Sequence, residues 1–264
     1  MTEAPSERTR VKRLNKRAKY DADTVHAILD ATPICTVGYV FKGAPYVTPT
    51  LQWREDDHIY WHGSAASRMR PADLPRERIA AARVLHLSGI TLAISDSSCD
   101  SAHAAIDIAR AAGVTVSFDT NLRLKLWPLA RARALIFDAI ARCDLCLPSL
   151  DDLQTLTGLS DPDALVDHCL RLGARRVALK LGAAGALVAD AHERHRIAPH
   201  PCRPVDATGA GDTFGGAFVA RRLAGDDLRT AGAYAAVAAA LSTEGYGAVA
   251  PIPDAAAVRR ALQA

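Results

Sequence analysis

The sequence has no run of about 18 consecutive apolar residues, so no membrane-spanning helix is expected. Its N-terminus also lacks the apolar stretch of a secretory signal: Glu3 and Glu7 are followed by Arg8, Arg10, Lys12, Arg13, Lys16, Arg17 and Lys19. Charge of one sign is scarce, since 32 Lys and Arg against 29 Asp and Glu leave only +3. No aromatic residues interleave the basic run, which therefore reads as a solvated segment rather than a nucleic-acid arm. The six cysteines, at positions 35, 99, 143, 146, 169 and 202, form no small-scaffold disulfide framework, and a reduced, cytoplasmic protein is expected. Cys143 and Cys146 make a CxxC with no second pair to complete a zinc site. They lie in an apolar run ending at Leu147-Pro148 and read as strand packing. Aromatics are few (5%), yet seven of them, Trp53 and Trp61 included, fall in the first 70 residues. The whole charge excess falls there too, with 11 basic and 8 acidic side chains. A hydrophobic content of 49% supports a packed core and excludes a disordered or fibrous chain.

Two patterns divide the sequence. After a helix over 21–31, residues 35–41, 44–51 and 58–61 read as antiparallel strands joined by turns at Lys42-Gly43 and Glu55-Asp56-Asp57, which makes a β-meander. From Arg83 onward, short apolar runs alternate with helical periodicity. Strands are expected at 84–88, 114–118, 145–147, 176–181 and 186–189. Helices are expected at 101–112, 128–142, 161–172, 211–223, 228–243 and 254–263, with a short one after Ser149 or Asp151 that ends near Gly158. Strands spaced by helices imply a parallel sheet covered on both faces, with ligands at the carboxyl ends of its strands.

Chemistry concentrates in Asp206-Ala-Thr-Gly-Ala-Gly-Asp-Thr-Phe214, which opens a helix of small residues. Backbone N–H groups of Gly209, Ala210 and Gly211 at a helix N-terminus would form an anion hole for charge developing on a transferred phosphoryl group. Asp212 beside them can accept the proton of an attacking hydroxyl. Spacing alone leaves a second reading open, in which Gly-Ala-Gly is a tight entry to a closely packed helix and Asp212 a first-turn acid.

These residues resemble the C-terminal motif of the ribokinase-type (PfkB) carbohydrate kinases, and other segments match that family in order. Val177-Ala-Leu-Lys-Leu-Gly-Ala-Ala-Gly-Ala186 is similar to its nucleotide-binding strand-turn-strand, which implies that Gly182 and Gly185 let the backbone approach ATP while Lys180 supplies charge. Phe118-Asp-Thr-Asn-Leu-Arg-Leu-Lys-Leu-Trp127 resembles the 2-keto-3-deoxygluconate kinase branch, as do Leu85–Ile90 and Gly245–Pro251. That likeness places Arg123, with Asn121 beside it, on the sugar-acid carboxylate or nearby phosphates; an arginine fork suits either anion. In the family's Pro-Asn-x-x-Glu segment this chain has Pro148-Ser-Leu-Asp-Asp152. Ser149 therefore stands near the nucleotide, and Asp152 keeps a carboxylate for the water ligands of Mg²⁺. The resemblance covers about residues 63–264 and implies a ribokinase-like three-layer α/β/α domain over 69–264 with a mainly parallel sheet. It also implies ATP- and Mg²⁺-dependent phosphorylation of a sugar acid, with neither nucleic acid nor membrane as partner and a homo-oligomer left open. The family's N-terminal half, with its Gly-Gly motif, is not found in this sequence.

Residues 8–68 resemble another family, the FMN-binding split-barrel proteins related to pyridoxamine 5′-phosphate oxidase, through Thr9–Arg13, Val25–Asp30, Pro45–Pro49, Trp53-Arg54 and Tyr60–Ser64. The resemblance implies a partial antiparallel split barrel over 1–68 in which Ser64, Ser67 and Arg68 would hold the flavin phosphate. Three or four strands cannot close a barrel, and a meander that binds nothing is the expected state. Gly63-Ser-Ala-Ala-Ser-Arg68 fits both families, so the chain reads as a chimera joined within that shared segment. The rival functions are an FMN-binding protein and a non-catalytic nucleotide-binding remnant.

Overall fold

The computed structural model describes residues 20–31, 34–41, 44–55, 58–61 and 69–263. The chain divides into two compact units, residues 1–67 and 68–264. In the first, α1 (Ala22–Ala31) is followed by β1 (Ile34–Phe41), β2 (Ala44–Glu55) and β3 (His58–Trp61). Asp21 starts α1 by accepting the Thr24 N–H at 2.9 Å. The strands pair antiparallel in the order β1-β2-β3, with Phe41 opposite Ala44 and Glu55 opposite His58. This is the meander the sequence pattern predicts, with β2 four residues longer than expected. Arg54 grips Asp30 with two hydrogen bonds, of 3.0 and 2.7 Å, and so ties β2 to α1. Ser64, Ser67 and Arg68, and the junction that contains them, lie outside the described residues.

The second unit is built on a six-stranded sheet in the order β4 (Val84–Ser88), β5 (Thr115–Asp119), β6 (Leu145–Cys146), β7 (Arg176–Lys180), β8 (Ala186–Asp190), β9 (Arg194–Ile197). The first four strands are parallel, and β8 and β9 run antiparallel to their neighbours. The sheet is therefore mixed, for a simple reason: the connection from β7 to β8 is far too short for a crossover and permits only a hairpin. α2 (Arg76–Ala81) precedes the sheet; between its strands lie α3 (Gly89–Ala93), α4 (Asp96–Ala111), α5 (Leu129–Arg142), α6 (Leu150–Thr157) and α7 (Pro162–Leu172), and α8 (Ala210–Leu223), α9 (Leu228–Ser242) and α10 (Ala255–Gln263) follow β9.

Alternation along the strands sends side chains to two covered faces. Val116, Phe118, Cys146, Val177, Leu179 and Leu187 pack on one side with Ile106 of α4, Ile136 and Ile140 of α5, Leu153 of α6 and Leu165 of α7. Leu145, Leu147, Ala178, Ala186, Val188 and Ile197 pack on the other with Phe214 and Phe218 of α8 and Ala231 and Ala235 of α9. Cys143, Cys146 and Cys169 are all buried in the first of these cores. Hydrogen bonding among these thiols, together with burial, pushes the Cys146 thiol up. The CxxC is thus part of the packing. Among the described residues no helix is long and apolar enough to cross a membrane.

Candidate functional site

The carboxyl ends of β5, β6 and β7 open into a cleft of about 530 Å³ that faces the start of α8. It is lined by Asp119, Asn121, Arg123, Ser149, Asp152, Lys180, Gly182, Gly209, Gly211 and Asp212, with Leu150, Asp151, Leu181, Ala207 and Thr208 between them. Nine of the eleven residues singled out for a kinase site in the sequence thus meet in one place, where a sheet of this kind exposes its strand ends.

Each wall has a local cause. Gly209, with φ 79°, is the residue before α8, so the chain enters the helix through a left-handed turn. Helix formation from Ala210 leaves the first N–H groups without intrahelical partners at the end where positive potential collects; the Ala210 N–H turns back to Ala207 O at 3.2 Å, and Gly211 lines the cleft. Asp212 follows in the first turn and is exposed. The turn ahead of it is held by Asp206. Its Oδ1 accepts Thr208 Oγ1 at 2.6 Å and Thr208 N at 2.9 Å, and its Oδ2 accepts Gly247 N at 2.9 Å. Those bonds, the Thr208 hydroxyl first, hold its carboxyl below the usual range.

On the opposite wall, Ser149 caps α6 by accepting the Asp152 N–H at 3.2 Å. Of the two caps the sequence offered, Ser149 is the one used. Asp152 Oδ2 accepts Thr120 Oγ1 at 2.8 Å and Leu122 N at 3.1 Å, which anchors the turn that carries Asn121 and Arg123. Asn121 adopts a positive φ of 33° in that turn, a conformation asparagine tolerates better than most side chains. The guanidinium of Arg123 donates to its neighbour's carbonyl, Leu122 O, at 2.8 Å, and the residue is exposed.

Two sequence assignments land elsewhere. Gly185 is not among the cleft residues. A Cβ there would stand 2.1 Å from Ile197 O and 2.9 Å from Pro199 N, so the position is glycine because the chain after β9 passes against it. Ala210 contributes backbone at the helix start without lining the cleft.

One cleft residue escaped the sequence reading. Asp119, 5% exposed at the end of β5, binds Lys180 Nζ through Oδ2 at 2.5 Å and accepts Asn121 N through Oδ1 at 3.2 Å. Burial pushes its carboxyl above the usual range, against the pull of Lys180. The signal available was an acid at the carboxyl end of a strand followed by a Thr-Asn turn.

Among the described residues no group of three or more His, Cys, Asp or Glu side chains could hold a metal ion. A hydrated Mg²⁺ keeps its waters and binds chiefly through phosphate oxygens, so it needs few protein ligands; Asp152, one of the cleft acids, would reach it through water from the oxygen not taken by Thr120 and Leu122.

The chain is 39% identical over 187 residues to a 2-dehydro-3-deoxygluconokinase of Thermoproteus tenax, covering 69% of this chain and 55% of that protein. It is 35% identical over 177 residues to the enzyme of the same name from Bacillus subtilis (strain 168), covering 66% and 52%. The chain thus spans about half the length of these two relatives. The crystal structure of a PfkB protein from Polaromonas sp. JS666 superposes with a TM-score of 0.67 at 32% identity, over 80% of this chain and 69% of that one. The model of the pfkB family carbohydrate kinases matches residues 50–255, beginning within β2 and taking in the whole cleft, and the chain belongs to that family.

Proposed function

We propose that this chain carries the catalytic cleft of an ATP-dependent kinase that phosphorylates a hydroxyl of a 2-keto-3-deoxy sugar acid. The observation that carries this reading is the meeting of Asp212, the glycines that open α8 and Arg123 in one cleft at the strand ends. In this scheme Asp212 takes the proton of the acceptor hydroxyl as its oxygen bonds to the γ-phosphorus of ATP. The bond from that phosphorus to the bridging oxygen breaks, and ADP leaves with the electron pair. The N–H groups of Gly209 and Gly211, which line the cleft, stabilise the charge that spreads over the transferred oxygens, while the Ala210 N–H, donated to Ala207 O at 3.2 Å, holds the turn that presents them. Arg123 pairs with the sugar-acid carboxylate or with phosphate, and Gly182 admits the nucleotide against the β7–β8 turn. Asp152 would hold magnesium through water, and the ion would neutralise phosphate charge. The relatives named 2-dehydro-3-deoxygluconokinase and the Phe118–Trp127 segment support a sugar acid over a neutral sugar as acceptor.

A coupled assay that follows ADP release with 2-keto-3-deoxygluconate tests the proposal. Asp212→Asn keeps the shape and removes the base, and turnover should fall by at least about 100-fold with the fold intact by circular dichroism. Turnover that survives the substitution would remove Asp212 from its role.

A further inference from the structure

We propose that Asp119 is a positioning residue for phosphate recognition, fixing the Lys180 ammonium against the first turn of α8. This rests on the kinase reading and adds to it a residue that touches no substrate. Three observations lead there.

The first is reach. Asp119 ends β5 and Lys180 ends β7, with the short β6 between them, and their side chains meet across its end at 2.5 Å. Their side chains are only 8% and 14% exposed, so the pair is shielded from the solvent that makes surface ion pairs weak. The second is direction. A Cβ placed on Gly211 would lie 3.7 Å from Lys180 Nζ, so the ammonium stands beside the backbone that opens α8. Positive charge from the side chain and from the helix start therefore converges on one part of the cleft. The third is that Asp119 has two duties. Its Oδ1 accepts the Asn121 N–H, so one carboxylate fixes both the ammonium and the turn that carries Asn121 and Arg123.

A lysine has four rotatable bonds and binds phosphate as a point charge, so its contribution depends on where the ammonium is held. A buried carboxylate that grips Nζ removes that freedom before ligand arrives, and preorganisation of this kind lowers the ordering cost of binding. The charges of Asp119 and Lys180 cancel at a distance. The pair thus adds little net attraction for anions, and its effect is one of placement.

The test is calorimetric titration of the full chain with ATP and, separately, with adenosine, in the presence of Mg²⁺. In the unaltered chain ATP should bind more tightly than adenosine. Asp119→Asn and Asp119→Glu should each weaken ATP by about tenfold and leave adenosine unchanged. The glutamate keeps the opposite charge but moves it by one methylene, so a loss there reports placement rather than charge. Asp119→Asn combined with Lys180→Met buries no unpaired charge. Its melting temperature should return toward that of the unaltered chain while ATP affinity stays low, an outcome that a purely structural ion pair would not produce. ATP affinity that is unchanged or tighter in Asp119→Glu, or that recovers with stability in the double variant, overturns the proposal and leaves the kinase reading standing. An unaltered chain that binds neither ATP nor adenosine overturns both.

Discussion

Gly185 shows how a single residue can be essential without touching ligand. Its φ of 89° already disfavours any side chain, and the nearest atom to an added methyl group would be Ile197 O at 2.1 Å, well inside contact distance. The obstacle is backbone rather than the end of a flexible side chain, so β9 or the β7–β8 turn has to move. Gly185→Ala should destabilise the second unit by roughly 3 kcal/mol, read as a lowered urea midpoint. Because Gly182 sits on the same turn and lines the cleft, ATP affinity should fall as well. Gly216 provides the control: nothing lies within 4 Å of its missing Cβ and it is exposed on α8. Alanine there should be neutral or slightly stabilising, because helical alanine has the higher propensity. Equal midpoints for the two variants would refute the close-approach account of Gly185.

Among the elements, α9 has the sharpest packing demand. Its buried residues are Leu228, Ala231, Gly232, Ala235, Ala236, Val237, Ala238 and Ser242, most of them small, and a Cβ on Gly232 would come within 3.0 Å of Val188 and Ile197. Small residues let the helix lie close on β8 and β9, and they leave no room for a longer side chain. Ala235, fully buried, is the place to test this. Ala235→Leu should cost about 1–3 kcal/mol by overpacking, and a thermal melt unchanged from the parent would show the interface to be looser than described. The same alanine richness was visible in the sequence, together with most of the helices and all the strands from β4 to β8. What escaped has identifiable causes. β9, Arg194-His-Arg-Ile197, has one buried residue and pairs on one side only, so it shows no apolar run. α4 begins at Asp96, ahead of the expected Ser101, because Ser98, Cys99 and Ser101 are buried there. Ser98 Oγ donates to Thr91 O at 2.7 Å and Ser101 Oγ to Ser97 O at 2.7 Å, so these polar side chains are buried at little cost and show no apolar periodicity ahead of Ser101. At the cleft, the glycine and acid motifs were legible because their chemistry is local. Asp119 was not, because its partner Lys180 lies 61 positions away and only the sheet order brings them together.

For the whole molecule, carboxylates of opposite character set the response to acid. Asp163, near the start of α7, binds Arg194 at 2.8 Å and Arg196 at 2.5 Å, and the Arg194 hydrogen bond holds its carboxyl below the ordinary 3.8. Asp206 is held low by Thr208 and Gly247, and Asp227, the cap of α9, by its bonds to Thr230. A group whose folded pKa is depressed binds fewer protons in the folded chain than in the unfolded one. Its stabilisation is therefore complete above the unfolded value and is lost as pH falls through the folded one. Asp119 has the opposite sign: burial raises its folded pKa, so its contribution improves as pH falls through that raised value toward 3.8. Asp30, Asp73 and Asp190 are held low as well, and six depressed carboxylates against one raised predict a urea midpoint that is lost below about pH 4, followed by far-UV circular dichroism from pH 6 to pH 2. The two kinds of depressed group can be separated by salt. Asp163 depends on exposed arginines, which 1 M NaCl screens, whereas Asp206 depends on neutral hydroxyl and amide donors, which it does not. Asp163→Asn should flatten the acid loss at low salt and have little effect at 1 M NaCl, while Asp206→Asn should flatten it at both. An acid loss that Asp163→Asn leaves unchanged at low salt would mean that the arginine pairs joining β9 to α7 carry no part of the acid sensitivity.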